Sequence, residues 1–148
     1  MSYEYEIHTR GDVQGNLFEK LVRFFFESEP HHDQDEAAVS AEAILEGDGN
    51  IVLAMGPDGG VVGYGTLTNV SDRGTARMEA AHVHPDHAQR GIYSNLVKLR
   101  LEEAQREGAE QVAVNAAHEF QVRFLQRLGF EIVDKYPFSG WELKKCCR

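Results

Sequence analysis

The stretch HVHPDHAQRGIYSNLV, residues 82–97, combines the end of an apolar strand with the beginning of a long helix. Pro85 fixes a turn between them, and Gly91 leaves the backbone uncovered near the predicted helix start. The first amide groups of a helix have no intrahelical acceptor, and the helix dipole places partial positive charge there. Together with the charge of Arg90 and the hydroxyl of Ser94, they form a candidate phosphate-binding cradle. An ordinary strand–turn–helix crossover has the same pattern, and both interpretations stay open on these residues alone.

The composition is that of an ordinary globular protein. The 148 residues are 42% hydrophobic and 26% charged, and the formal net charge is −9. This charge argues against a general nucleic-acid-binding protein, which is normally basic. It suits a cationic substrate, although many proteins are acidic for solubility alone. We expect one domain, residues 1–148, which is long enough to bury its own core.

Two features of the sequence bear on its compartment. No apolar run approaches the length of a membrane span, and no charged-then-apolar leader stands at the N-terminus. The only cysteines, Cys146 and Cys147, are adjacent and cannot form a disulfide framework. We therefore expect a cytoplasmic protein that does not associate with membranes.

Hydrophobic periodicity predicts an α/β protein. Short connections between residues 51 and 83 predict an antiparallel meander, and a helical crossover predicts that the strand at 111–114 runs parallel to the one at 76–83. The last two strands are predicted to form a hairpin-like pair. The sequence thus predicts a mixed central sheet flanked by about four helices. The predicted strands are residues 3–8, 51–55, 61–68, 76–83, 111–114, 131–134 and 141–145, and the predicted helices are residues 16–27, 36–46, 89–107 and 118–128.

Two helices carry more detailed predictions. Asn16 followed by Glu19 resembles a capping box at the start of the first helix. Leu17, Leu21, Phe24 and Phe25 keep helical spacing along it and are predicted core residues. In the predicted helix at 118–128, three large apolar residues recur at helical spacing: Phe120, Phe124 and Leu128.

Two segments carry a resemblance to a known family. In the first, a strand ending in V-x-P (residues 83–85) is followed by R-G-I (residues 90–92) and an amphipathic helix, which resembles the acetyl-CoA motif of the GNAT N-acetyltransferase superfamily. The second, VAVNAAHEFQVRFLQRLGF at residues 112–130, is similar to the family's next block. The resemblance covers nearly the whole chain. It implies transfer of an acetyl group from acetyl-CoA to a primary amine of an unidentified small molecule or peptide.

The resemblance also implies roles for individual positions. In the family, a bulge in the strand before the phosphate turn lets backbone groups bind the pantetheine arm and the thioester carbonyl, a task that falls here to Ala81, His82 and Val83. Asn115 matches a position that often contacts the cofactor arm. The backbone amides that would hold the pyrophosphate are those of Gln89, Arg90, Gly91, Ile92, Tyr93 and Ser94.

The chain departs from the family pattern at two places. The pattern is Gln or Arg, two residues, Gly, one residue, then Gly or Ala, and these positions hold Ala88, Gly91 and Tyr93. The ring of Tyr93 must therefore point away from the phosphates or cover them. The tyrosine that commonly acts as general acid in the second block is replaced by Leu125, which cannot donate a proton. A water, Tyr93 or Tyr136 would then protonate the thiolate, or the step proceeds unaided.

We assign the general base to Glu79, a strand position at which many family members carry glutamate. A surface glutamate on a half-exposed strand is the competing interpretation. His82, His84 and His87, with Asp86 nearby, allow a metal-site interpretation. The proline turn disperses this set, however, and we predict no metal.

The resemblance leaves several questions open. In the family, the first helix and the loop after it line the acceptor pocket, so part of its aromatic cluster would face substrate, and His31 and His32 in that loop would be acceptor contacts, metal ligands or solvated side chains. Members often dimerise, and the sequence gives no signal for or against a homodimer. The alternative function is a non-catalytic acyl-CoA-binding or regulatory domain, which the loss of the acid at Leu125 favours.

Overall fold

The computed structural model describes residues 2–12, 16–29, 33–138 and 140–147. Within them the predicted order of strands and helices is confirmed, with short 3₁₀ turns at Arg10–Asp12 and Pro85–His87. His31 and His32 lie outside the described residues. In chain order, the elements are β1 (Glu4–Thr9), α1 (Leu17–Ser28), α2 (Gln34–Glu46), β2 (Asn50–Met55), β3 (Val61–Leu67), β4 (Thr75–Val83), α3 (Ile92–Arg106), β5 (Gln111–Ala116), α4 (Glu119–Arg127), β6 (Glu131–Tyr136) and β7 (Gly140–Cys146).

The strands form one sheet in the order β1-β2-β3-β4-β5-β7-β6. Strands β1 to β4 pair antiparallel, β4 and β5 pair parallel, and β7 pairs antiparallel with both β5 and β6. The predicted mixed α/β fold, with its meander and its parallel pair, is confirmed. No helix among the described residues is long and apolar enough to cross a bilayer.

Helices cover both faces of the sheet. In β2, Ile51 and Leu53 pack with α1 and α2, whereas Val52 and Ala54 pack with α3. Strands with both faces covered are apolar along their whole length, as β2 and β3 are. Helix α4 shares the core of α3. We call the two sides the α1/α2 face and the α3/α4 face.

Strand β4 contains a bulge. Gly65 pairs with Ala81 and Leu67 with Met78, so two residues of β4, 79 and 80, oppose the single residue Thr66 of β3. The Thr66 hydroxyl accepts a hydrogen bond from the amide of residue 80 (3.0 Å). From α3, the buried guanidinium of Arg100 donates to the carbonyl oxygens of residues 66 and 80 (3.2 and 3.3 Å). The bulge is therefore held by side chains of two different elements.

The start of α3 and the cap of α1 differ from the prediction. Helix α3 begins at Ile92 rather than Gln89, because Gln89 (φ 62°) and Gly91 (φ 81°) have left-handed backbones that cannot continue a helix. Asn16 does precede α1, but its side chain makes no capping hydrogen bond, so the capping-box prediction is wrong. Helix α2 is capped by Asp33, which accepts from the amide of Glu36 (2.8 Å).

Helix α4 buries part of the set that the spacing singles out. Phe124 and Leu128 are partly buried and pack against the core that contains Val122 and Leu125. Phe120 is 65% exposed and stacks on the ring of His118. The spacing was therefore misleading at Phe120 alone of these three residues.

Candidate active site

Strands β4 and β5 separate part of the way along their length. Their parallel pairing ends at Met78 and Val114, whereas β4 continues to Val83 along β3 and β5 continues to Ala116 along β7. The bulge of β4 lies directly where the pairing ends. We call the wedge-shaped opening between these strand ends the split.

The peptide groups of Ala81 and Val83 face the split. The amide of His84 donates to the carbonyl of Val62 (2.8 Å), which fixes the alternation of the β3–β4 ladder. His82 then belongs to a hydrogen-bonded pair with β3, and its two neighbours turn their N–H and C=O groups to the opposite side. All three residues were predicted to bind the cofactor through their backbone, but only the peptide groups of Ala81 and Val83 face the split.

A concave backbone loop precedes α3. The left-handed conformations at Gln89 and Gly91 turn the chain so that the first helical amides point outward. The first amide in a helical bond is that of Asn95, which donates to the carbonyl of Gly91 (3.0 Å), so the amides of Ile92–Ser94 have no intrahelical acceptor. No described atom lies within 4 Å of where a Cβ of Gly91 would stand, so the space is open. We call residues 88–94 the nest, because backbone of this kind binds anions.

Two tyrosines, one just before β1 and one within it, hold the nest in place. Arg90 donates from Nη1 to the Tyr3 hydroxyl (3.2 Å), and that hydroxyl also hydrogen-bonds Nδ1 of His87 (2.9 Å). Asn95 donates to the Tyr5 hydroxyl (3.0 Å). Sequence analysis did not connect the two tyrosines with this site, because their partners lie more than 80 residues further along the chain.

Tyr93 replaces a small residue of the family pattern without closing the nest. Its ring turns toward α4, where its centroid lies 5.9 Å from that of Phe124. Its main-chain amide stays in the first turn of α3. Burial raises the pKa of the Tyr93 hydroxyl, so this group stays protonated at neutral pH.

Leu125 is completely buried in the core shared by α3, α4, β5 and β7. It packs in the same cluster as Val114 and Leu143. The position at which family members carry an acid therefore holds an apolar core side chain in this chain.

Asn115 lies just past the last parallel pair and joins a polar network. Its Oδ1 accepts from Arg77 (3.5 Å), which also donates to Glu142 (3.0 Å). Tyr136 donates its hydroxyl hydrogen to the other carboxylate oxygen of Glu142 (3.0 Å). These two donors hold the pKa of Glu142 below its usual range, and the bond to Glu142 raises the pKa of Tyr136.

Glu79 lies in the bulge with 46% of its side chain exposed. Its Oε1 accepts a hydrogen bond from Nη1 of Arg10 (3.1 Å). Arg10 is only 6% exposed and also donates to the carbonyls of Ile44 (2.7 Å) and Asp48 (2.9 Å). The predicted base is thus tied to a buried cation that sequence analysis did not single out.

The side chain of His82 lies on the α1/α2 face. Its ring packs edge-on against Phe24, with 5.5 Å between centroids. Its Nε2 is buried, lies 3.4 Å from Oε1 of Glu29 and makes no well-formed hydrogen bond within the described residues. Burial lowers the pKa of His82, while the charge of Glu29 opposes this shift. Beside it, burial raises the pKa of Tyr64 to about 12.

The rings of His84 and His87 lie edge-on, with 5.8 Å between their centroids, whereas the ring of His82 packs against Phe24. His84 accepts the amide hydrogen of Asp86 at Nδ1 (3.0 Å), and His87 is engaged by Tyr3. Among residues that the structure describes, no three His, Cys, Asp or Glu side chains are grouped as ligands for a metal.

Comparison with known proteins identifies the family. The model of the Acetyltransferase (GNAT) family matches residues 15–130. A search of curated protein sequences found no match. Among solved structures, the chain is similar to aminoglycoside 6'-acetyltransferase type Ii, with 16% identity, a TM-score of 0.75, and coverage of 98% of this chain and 97% of that one.

Two further structures share the fold. The PaiA N-acetyltransferase from Thermoplasma acidophilum in complex with coenzyme A is 13% identical with a TM-score of 0.67, over 99% of both chains. Nourseothricin acetyltransferase is 18% identical with a TM-score of 0.57, and this match covers 67% of this chain and 65% of that one. At these identities the structures support the fold alone, whereas the family model spans well over half of the sequence. The chain therefore belongs to the GNAT acetyltransferase family.

Proposed function

We propose that this protein is an N-acetyltransferase that transfers the acetyl group of acetyl-CoA to a primary amine of a small molecule or peptide. The observation that carries the proposal is the continuity of the nest with the split. The chain runs from the free peptide groups of Ala81 and Val83 directly into the anion-binding backbone around Gly91. A ligand with a diphosphate at one end and a thioester at the other fits such a path. Among the structures that share the fold, the PaiA enzyme was solved with coenzyme A.

The residues of the split have separate tasks in this reaction. The N–H groups of Ala81 and Val83 would polarise the thioester carbonyl, which favours attack by the amine nitrogen. The C–N bond forms, the C–S bond breaks, and the electron pair leaves on sulfur. The sequence predicts Glu79 as the base, although one of its carboxylate oxygens already accepts a hydrogen bond from Arg10. With Leu125 in the core, protonation of the thiolate falls to water, Tyr93 or Tyr136, and a thiolate is a fairly good leaving group without such help.

The charge of the α1/α2 face favours a cationic acceptor. Glu79 and Glu142 are paired with Arg10 and Arg77, so the support comes from the carboxylate of Glu29 beside His82 and from the net charge of −9. Aminoglycosides, after which one acetyltransferase with this fold is named, are polycationic amines and belong in the first panel of acceptors. We further propose that residues 1–148 act as one cytoplasmic domain without nucleic-acid or membrane partners.

The proposal is tested in two steps. Calorimetry should detect binding of acetyl-CoA, and the thiol released from it should be measured with kanamycin, spermidine, tyramine and a lysine-containing peptide. We expect binding, and turnover with at least one amine. If acetyl-CoA does not bind, the proposal is wrong and a structural domain without cofactor remains.

The second candidate is a non-catalytic acyl-CoA-binding or regulatory domain. The burial of Leu125 at the position of the family's acid is the observation that favours it. Binding of acetyl-CoA without thiol release on any amine would support this alternative.

A further inference from the structure

We propose that His82 is the general base that takes the proton from the acceptor amine, and that Glu29 is the positioning residue that selects its tautomer. This inference rests on the proposed acetyl transfer. From the sequence, His82 was predicted to bind the cofactor through its backbone or to be a metal ligand, and Glu29 had no predicted role.

The two nitrogens of the His82 imidazole have different surroundings. Nε2 is buried against the carboxylate of Glu29, 3.4 Å from its Oε1. A carboxylate at this distance favours a proton on Nε2 and so leaves the lone pair on Nδ1. The side chain is 32% exposed although Nε2 is not, so the exposed surface belongs to the other ring atoms, of which Nδ1 is the polar one. Within the described residues, no hydrogen bond occupies Nδ1.

The position of the ring suits an acceptor site. His82 stands between Ala81 and Val83, whose peptide groups border the split, so its side chain is one residue from the proposed carbonyl site. The nest belongs to α3, and acetyl-CoA therefore approaches from the α3/α4 face. The acceptor amine then approaches from the α1/α2 face, where the ring of His82 lies against Phe24.

Three titratable groups lie near this ring, and two of them, Glu29 and His84, act on its pKa. Glu29 follows α1, Tyr64 lies opposite on β3, and His84 follows β4. Burial lowers the pKa of His82, the charge of Glu29 raises it, and His84 lowers it further. The imidazole is therefore neutral at pH 7 and able to accept a proton.

Glu79 is less suited to this step. Its Oε1 already accepts a hydrogen bond from Arg10, whose guanidinium is fixed by two main-chain carbonyls. The proton of the amine would therefore have to go to the other oxygen, Oε2, of a side chain that Arg10 already engages. Glu79 is better explained as the side chain that anchors Arg10 beneath the bulge.

The proposed step balances. The neutral amine forms the C–N bond through its lone pair while the C–S bond breaks and sulfur keeps the electron pair. Nδ1 of His82 takes the proton that the nitrogen releases, and the thiolate takes a proton from water. The imidazolium then returns its proton to solvent, which leaves the amide and free coenzyme A.

The kinetic test compares four variants with the amine of the panel that turns over best. H82N should lower kcat about 100-fold, a typical contribution of a positioned base. E29Q should move the acid limb of the kcat–pH profile to lower pH, because it removes the charge that raises the pKa of His82. E79Q should keep the wild-type profile. H8N is the matched control, since His8 also pairs with a glutamate (Glu6, 3.0 Å) but lies on β1 away from the split.

A second measurement is independent of turnover. The ¹⁵N shifts of the imidazole should show His82 with its proton on Nε2 in the wild type, and a mixture of tautomers in E29Q. The proposal is overturned if the proton is on Nδ1, or if H82N keeps the wild-type kcat and pH profile. If no amine reacts at all, acetyl transfer fails as the function, and the tautomer alone decides whether Glu29 positions His82.

Discussion

Gly65 lies directly beneath the guanidinium of Arg100. A Cβ at residue 65 would stand 2.7 Å from the Nε of Arg100, closer than any packed carbon allows. Arg100 is 2% exposed, and its guanidinium donates to the carbonyls of residues 66 and 80, one on each strand at the bulge. Burial lowers its pKa to about 10, so it remains charged at neutral pH. The shape of the split therefore depends on the absence of one methyl group on β3.

The first prediction concerns this contact. G65A should displace Arg100, leave the carbonyls of the bulge without their donor and lower the free energy of unfolding by about 2–3 kcal/mol. Urea denaturation measures the change. G11A is the control, because a Cβ at Gly11 meets no described atom within 4 Å. Equal stability of the two variants would contradict the role given to Arg100.

The second prediction separates backbone strain from phosphate binding. Gly91 and Gly108 stand at the two ends of α3 with nearly equal left-handed φ angles, 81° and 88°, and neither has a described neighbour within 4 Å of its Cβ position. G91A and G108A should each cost about 1 kcal/mol of stability. Only G91A should weaken coenzyme A binding, as measured by calorimetry. Equal affinities in the two variants would remove the nest from the binding site.

The third prediction concerns Arg10. R10A removes the donors to the part-buried carbonyls of Ile44 and Asp48 and should lower the free energy of unfolding by about 1–3 kcal/mol. E79Q removes only a half-exposed ion pair and should cost less than about 1 kcal/mol. Both values come from denaturant titration. A larger loss in E79Q than in R10A would show that the ion pair, and not the main-chain contacts, holds this corner.

The fourth prediction concerns acid stability. Because burial lowers the pKa of His82 in the folded state, protonation of its ring favours unfolding. Its contribution to stability is complete above about pH 6.5, the usual histidine value, and is lost as the pH falls through the lower folded value. H82N should flatten the stability–pH curve below pH 6.5, and H8N should leave it unchanged. Thermal unfolding between pH 5 and 8 checks both curves.

The sequence predicted the fold well because most of its elements have one clear period and a clear stop. The residues of β2 and β3 are apolar on both faces, and glycines end α3 and α4. The exposure of Phe120 on α4 was missed, since this residue is more apolar than its position requires. The start of α3 was misplaced because a glutamine at position 89 does not indicate a positive φ.

The site was harder to predict because its contacts join residues far apart in the chain. Local patterns located the nest around Gly91 and the strand end at Val83. They could not reveal that Arg10 reaches Glu79 across 69 positions, or that Glu29 meets His82. A buried charge such as that of Arg100 also looks, in sequence, like any exposed arginine on a helix.

The parallel seam between β4 and β5 consists of four residue pairs, from Thr75–Gln111 to Met78–Val114. Beyond it, the strand ladders give the main-chain groups that β4 and β5 turn toward the split no partner strand within the described residues. An extended ligand with its own amide groups could bind in the split. It would pair with β4 and β5 as an eighth strand and so join the two halves of the sheet. Binding of such a molecule in the split would therefore make the whole sheet more rigid.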